Sequence, residues 1–182
     1  MRPWPSWVYE WGSQPAESAL PLPCDELVQE PRQTLLRAVS SAAPAGLVFR
    51  WLCQLRAAPY SYDRLDNGGR RSPQILTPGL EELEVGQRVM RLFRLAAFET
   101  GRSITIETRG WLFGHIACTY AALEAGPGGS RLLARMHISR PGPAGAPSRL
   151  LLPPGDLVMM RRQLLNLAAL AERDHRSGAG VS

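Results

Sequence analysis

Tyr60, Tyr62 and Asp63 stand together in this chain, with Arg70 and Arg71 a few residues on. Phenols and a carboxylate at a cavity mouth can orient a polar ligand group or exchange a proton with it. The same residues can instead fix their own loop. Asp63 would then cap a turn, and the tyrosines would pack their rings with hydroxyls on backbone. Arg70 and Arg71 suit a ligand carboxylate or phosphate, or equally salt bridges to Asp63, Asp66, Glu81 or Glu82. His115 is the histidine expected in the sheet interior; a general base there needs an orienting partner, which the sequence does not show. The catalytic candidates are thus Tyr60, Tyr62, Asp63, Arg71 and His115. Ser61, Ser72 and Cys118 have no nucleophile elbow or triad around them. Asn67-Gly68-Gly69 is a turn signal that lacks the strand and lysine of a phosphate loop.

Composition narrows the chemistry further. All 21 basic residues are Arg, which excludes a lysine nucleophile or Schiff base. The net charge of +5 is spread from Arg2 to Arg176 among opposite charges, the pattern of a solvated surface and not of a nucleic-acid face. Cys24, Cys53 and Cys118 are far apart and odd in number, so they read as buried free thiols in a reducing, cytoplasmic setting. His115, His137 and His175 have no metal-ligand spacing, and neither a metal nor a cofactor is expected. No apolar run reaches the roughly 18 residues of a membrane span, and the first residues lack the apolar core of a secretory signal. With 45% hydrophobic and 20% charged residues, the 182-residue chain has the makeup of an ordinary globular domain.

The elements that must hold these residues follow from periodicity. Residues 1–33 carry Trp4, Trp7 and Trp11 among six prolines. Prolines forbid long regular structure there, while the indoles need burial, so an ordered strap is expected, with Trp11 near Pro23 and Cys24. A domain over 34–176 and a flexible tail over 177–182 complete the chain. Thr34–Ser40 reads as a strand, and Pro44 opens a helix to Arg56 whose apolar face is Leu47, Val48, Trp51, Leu52 and Leu55. A loop spans Tyr60–Pro78, with a helical turn around Tyr62–Leu65. Gln87–Glu99, Ser103–Arg109, Trp111–Leu123 and Arg131–Ser139 read as strands, with Leu132, Ala134, Met136 and Ile138 on the interior face. A bulge near Gly114 would bring Trp111 and Phe113 onto the face of Ile116, Cys118 and Tyr120. After a Pro/Gly loop over 141–147, a helix is expected from Asp156, as its capping residue, to Asp174, with an apolar stripe of Leu157, Met160, Leu164, Leu167 and Ala171.

On these residues the chain resembles the START-like, or SRPBCC, superfamily of polyketide cyclases/dehydrases and lipid-transport proteins. The segments that carry the resemblance are Val48-Phe49-Arg50-Trp51-Leu52, Tyr60-Ser61-Tyr62-Asp63, Gly69-Arg70-Arg71-Ser72, Gly129-Ser130-Arg131-Leu132 and Asp156-Leu157-Val158-Met159-Met160. Trp11-Gly12 with Pro23-Cys24-Asp25 resembles an N-terminal extension found in bacterial members. The resemblance spans about residues 11–173. It implies an α+β helix-grip fold: a curved antiparallel β-sheet wrapped around a long C-terminal helix, with a ligand cavity between them. It carries over no catalytic set.

The expected function is therefore binding of a hydrophobic small molecule or lipid. The residues expected to line the site are Trp51, Tyr62, Ile104, Ile106, Phe113, Tyr120, Met136, Met160, Leu164 and Leu167, although Met136, Met159 and Met160 would serve equally as ordinary core. Two other functions remain open: a polyketide cyclase/aromatase or dehydratase, and a protein-interaction module acting through the Trp-rich segment.

Overall fold

A computed structural model of the chain describes residues 3–110, 114–139 and 148–178. Among the described residues seven strands form one sheet: β1 (Glu10–Trp11), β2 (Gln33–Ser41), β3 (Arg88–Val89), β4 (Phe93–Glu99), β5 (Ser103–Gly110), β6 (Gly114–Glu124) and β7 (Ser130–Ile138). Their spatial order is β1-β2-β7-β6-β5-β4-β3. Only β1 runs parallel to its neighbour; the other pairings are antiparallel. The sheet curves around a C-terminal helix, giving the helix-grip architecture.

Alternation along the strands sorts side chains onto two faces. Register places Arg37, Ala134, Tyr120 and Ile104 in one row of the inner face. Leu35, Met136, Cys118, Ile106 and Leu95 form the next row. Helix α4 (Ala45–Cys53), continued by a 3₁₀ turn over Gln54–Arg56, buries Val48, Trp51, Leu52 and Leu55 against that face. Helix α6 (Ser148–Arg176) covers the rest through Met160, Leu164, Leu167 and Ala171. The Trp51 indole N–H donates to Asp174 Oδ2 at 3.1 Å and so ties α4 to α6.

The outer face is not left to water. Three short helices, α1 (Ser6–Tyr9), α2 (Pro15–Ser18) and α3 (Pro23–Leu27), belong to the N-terminal segment. Leu22, Cys24 and Val28 pack there on Leu36, Ala38, Ala117, Ala121 and Leu133. Each large apolar side chain so covered contributes about 1.5–3 kcal/mol as an upper figure. Polar groups trapped beneath are satisfied. The Cys24 N–H donates to Thr119 Oγ1, which also bonds Thr105 Oγ1. Arg135 donates to the carbonyls of Glu17, Ser18 and Leu20, and Arg131 pairs with Glu17 at 2.7 Å.

Several expectations change in detail. Gln87–Glu99 is not one strand. It folds back on itself as β3 and β4, because Met90 (φ 46°) and Arg91 (φ 63°) both take the left-handed conformation. The bulge lies in β4 between Leu95 and Ala97, and not at Gly114, which pairs with Gly110 at the start of β6. Trp111 and Phe113 lie outside the described residues. Trp11 does not join Cys24. Opposite Arg37 on the inner face, it packs against the main core under the Arg161 guanidinium, 5.2 Å from its ring centre.

The last helix begins at Ser148 and runs through Pro153 and Pro154. Proline at position 154 has no N–H for the Leu150 carbonyl. The Trp4 indole N–H supplies that hydrogen bond instead, at 2.8 Å. Asp156 is consequently an interior helical residue and not the cap. Helix α5 (Asp63–Asp66), the loop before it and the β3–β4 turn all contribute residues to the lining of the space between sheet and α6. Among the described residues no helix is long and apolar enough to cross a membrane.

Candidate functional site

Between sheet and helix lies a cavity of about 500 Å³, within the roughly 300–1,000 Å³ usual for small-molecule sites. Its sheet wall is Ile106, Tyr120, Met136 and Phe93. Its helix wall is Asp156, Met159, Met160 and Gln163 on successive turns of one α6 face. Pro59, Ser61, Leu65 and Asp66 close it on one side, and Met90, Arg91 and Leu92 on another. Leu65 and Leu92 are 78% and 77% exposed, so they mark its mouth.

The loops at that mouth are held by identifiable bonds. Two consecutive left-handed non-glycine residues cost on the order of 1–2 kcal/mol each. The turn that needs them is anchored by the Met90 N–H on Leu55 O at 3.2 Å and by Gln163 Nε2 on the Met90 sulfur at 3.3 Å. On the other side, Asp63 accepts from the Ser72 N–H at 2.8 Å and the Ser72 hydroxyl at 2.6 Å. Ser72 Oγ in turn accepts the Tyr60 N–H, and Asn166 on α6 donates to Tyr60 O. Ser61 Oγ donates to Asp66.

The polar groups inside the cavity form a short network. Tyr120 donates its hydroxyl proton to Gln163 Oε1 at 2.8 Å, while Gln163 Nε2 donates to Pro59 O at 2.6 Å. Asp156 Oδ2 lies 2.9 Å from Arg37 Nη2 in a buried ion pair. Arg37 is 1% exposed, and its guanidinium also donates to Tyr9 O, Val8 O and Leu36 O. Burial pushes the Asp156 carboxyl up to about 6, against the opposing pull of Arg37. Burial likewise drives the Tyr120 hydroxyl well above its ordinary value, with negative charge at Cys118 and Asp156 adding to it.

The expected lining residues divide. Ile106, Tyr120, Met136 and Met160 stand on the cavity wall. Trp51, Ile104, Leu164 and Leu167 are closed into the core with at most 1% exposure, and not on that wall. Tyr62 is 40% exposed and lines a separate pocket of about 540 Å³ with Trp7, Trp11 and Arg161. Phe113 lies outside the described residues.

The expected catalytic residues do not converge on the cavity. Tyr60 and Asp63 line a separate hollow with Ser72, Asn166 and Arg173. Burial, with a smaller push from Asp63, lifts the Tyr60 hydroxyl to about 12. Asp63 is occupied by Ser72, Arg71 is exposed, and Glu81 pairs with Arg50 at 2.8 Å. His115 does have a partner, Glu107 Oε2 at 2.7 Å, but strand alternation puts both on the outer face, away from the cavity.

Sequence reasoning missed Asp156 as a cavity residue, along with its partner Arg37 and the pair Tyr120–Gln163. One signal was available: Arg37 has the same strand parity as the apolar Leu35 and Val39. It also missed Cys24, Asp25 and His137, whose ligand-type atoms lie within 4.8 Å of one another. That cluster is already committed. Asp25 holds His137 at 2.6 Å and Arg135 at 3.0 Å. The Cys24 thiol is pushed to about 11, chiefly by burial.

No protein-family model matches the chain, and no curated protein matches it in sequence. Solved structures do match in fold. Protein jhp0584 from Helicobacter pylori is 13% identical with a TM-score of 0.53, over 84% of this chain and 95% of that one. The di-domain aromatase/cyclase BexL, from the BE-7585A biosynthetic pathway, is 11% identical with a TM-score of 0.52 over 78% of this chain. The match covers 47% of BexL, so the chain spans about half of that protein. The Zhui aromatase/cyclase from Streptomyces sp. R1128 is 18% identical, with a TM-score of 0.47 over 82% of this chain and 99% of that one. At such identities the likeness is one of fold alone: a curved, mostly antiparallel sheet around a long C-terminal helix.

Proposed function

We propose that this protein binds a hydrophobic small molecule or lipid-like ligand in the cavity between the sheet and α6. The observation that carries the reading is the cavity itself: about 500 Å³, walled by Ile106, Met136, Met159, Met160 and Phe93, with an open mouth. Sulfur-rich flexible walls suit ligands of irregular shape. The proposal takes the chain as a cytoplasmic carrier working without cofactor or nucleic acid. The test is uptake of the apolar dye N-phenyl-naphthylamine, followed by fluorescence. Met160→Trp places an indole in the cavity and is expected to weaken dye uptake at least tenfold while leaving the melting temperature within a few degrees. Unchanged uptake by a folded Met160→Trp protein would place the binding site elsewhere.

A second reading, an enzyme of the cyclase or dehydratase type, is favoured by one observation. Asp156 faces the cavity and keeps its proton up to about pH 6, which suits proton exchange with a bound molecule near neutrality. Asp156→Asn that abolished turnover of a candidate polyketide substrate without changing its affinity would favour this reading over the carrier.

A further inference from the structure

A second pocket lies on the solvent-facing side of α6 and shares no lining residue with the cavity between sheet and helix. Its volume of about 540 Å³ falls in the small-molecule range. Three aromatic rings line it, those of Trp7, Trp11 and Tyr62. Arg161 and Arg162 supply its charge, and no carboxylate stands in its lining. Its aromatic wall is held in place. Helix α1 buries Val8 and Tyr9 and leaves Trp7 59% exposed. The helix is not free to roll and hide that indole, because Arg37 holds the carbonyls of Val8 and Tyr9 at 2.8 and 2.6 Å. Tyr62, Val158 and Leu165 are exposed in the same pocket, and so much large apolar surface in one concavity marks a contact site. The Arg161 guanidinium sits 5.2 Å from the centre of the Trp11 ring. Stacking occupies its flat face and leaves its N–H edge for a planar anion. Among the described residues no carboxylate pairs with Arg161 or Arg162. An anion arriving there displaces no existing partner, whereas a cation meets two like charges.

We propose that this pocket is a second ligand site, for a flat aromatic molecule bearing one carboxylate or sulfonate. Trp7, Trp11 and Tyr62 hold the ring by apolar and ring contacts, and Arg161 and Arg162 hold the anion through charge-assisted hydrogen bonds. The proposal does not rest on the carrier reading, since the two sites have separate linings.

The test is titration with the anionic dye 8-anilino-1-naphthalenesulfonate at neutral pH, in the wild type and in Met160→Trp, with 2-naphthoate, 2-naphthamide and decanoate as competitors. Dye binding is expected to survive Met160→Trp, which fills the other cavity. 2-Naphthoate should displace the dye at roughly tenfold lower concentration than the uncharged 2-naphthamide, with up to about fivefold from each exposed arginine contact. Decanoate, with the charge but no ring, should be weaker than 2-naphthoate. Arg161→Gln combined with Arg162→Gln should erase the advantage of the acid over the amide, and Trp7→Ala should weaken both about fivefold. Arg88→Gln combined with Arg109→Gln, both exposed on the sheet, lowers the net charge equally and should alter neither. Equal competition by acid and amide, an equal loss in the Arg88 and Arg109 variant, or dye binding abolished by Met160→Trp overturns the proposal. So does a dimer that Trp7→Ala dissociates, or binding to phosphatidylglycerol vesicles that Trp7→Ala abolishes, because the occupant would then be a second copy or a bilayer. Failure of N-phenyl-naphthylamine uptake alone sinks the carrier reading and leaves this one standing.

Discussion

The Arg37–Asp156 pair invites a mutation pair whose outcomes should be unequal. Removing one partner of a buried ion pair ordinarily costs about 3–5 kcal/mol, because the other charge is left uncompensated. Here the two partners are not equally dependent. Arg37 without Asp156 still donates to Tyr9 O at 2.6 Å, Val8 O at 2.8 Å and Leu36 O at 3.0 Å. Among the described residues, Arg37 is the cation paired with Asp156. Arg37→Met should therefore cost the full 3–5 kcal/mol, and Asp156→Leu close to nothing at neutral pH. The pH dependence sharpens the contrast. The folded state holds the Asp156 proton from the ordinary 3.8 up to about 6. Its stabilising contribution is thus complete below 3.8 and is lost as pH rises through about 6. Ionising it within the fold costs on the order of 3 kcal/mol. Glu17 and Asp25 act in the opposite sense. Burial raises both carboxyls, but Arg131 and the Gln14 N–H outweigh it for Glu17, and the Leu22 N–H, His137 and Arg135 outweigh it for Asp25. Their contributions are present above the unfolded values and fall away in acid. They cancel when Asp156→Leu is compared with wild type at each pH. Urea unfolding followed by tryptophan fluorescence from about pH 4 to 7 should show the variant gaining about 2–3 kcal/mol relative to wild type across that range. A pH-independent difference, or a cost above about 3 kcal/mol for Asp156→Leu, would refute the reasoning.

Two further outcomes follow from the N-terminal segment and the thiols. Deleting residues 1–12 removes Val8 and Tyr9, which are 2% and 1% exposed, and two of the carbonyls that hold Arg37. A loss of about 4–6 kcal/mol is expected, read as a melting temperature lower by roughly 10 °C or more; an unchanged melting temperature would show that the segment is not structural. Cys24, Cys53 and Cys118 are all buried, and burial chiefly lifts their thiols to about 11, to about 12 and well above the ordinary value, respectively. Native protein should resist thiol labelling at neutral pH, with all three reacting once unfolded in urea; rapid labelling of the native protein would contradict that burial.

The parts of this fold that were legible in the sequence are those where periodicity is enforced by one surface. Ile104 and Ile106 alternate with Thr105 and Glu107, and Met160, Leu164, Leu167 and Ala171 repeat along α6, because each set faces the same core. The β3–β4 turn was not legible, since Met90 and Arg91 are not turn residues and take their conformation from tertiary contacts with Leu55 and Gln163. The start of α6 was misjudged for a related reason: two prolines look like a boundary unless a distant indole replaces the missing donor. The cavity's polar groups were the least legible. Asp156 at a Pro-Gly boundary has the local signature of a cap, and its role depends on an arginine 119 residues earlier in the sequence.

The hydrogen bond from Trp4 to Leu150 also bears on the order of assembly. Its partners are 146 residues apart, and the Glu17–Arg131 and Asp25–His137 links are nearly as distant in sequence. Long-range closures of this kind slow folding, because chain entropy is lost before any contact compensates it. During synthesis the segment bearing Trp4, Trp7 and Trp11 leaves the ribosome before β7 and α6 exist to receive it. The nascent chain can pair β1 with β2 early, but the contact of Trp4 with Leu150 waits until the last helix is complete. In vitro, a late refolding phase should report on tryptophan environment after most backbone structure has formed, and chaperone demand should be set by this segment and not by the sheet.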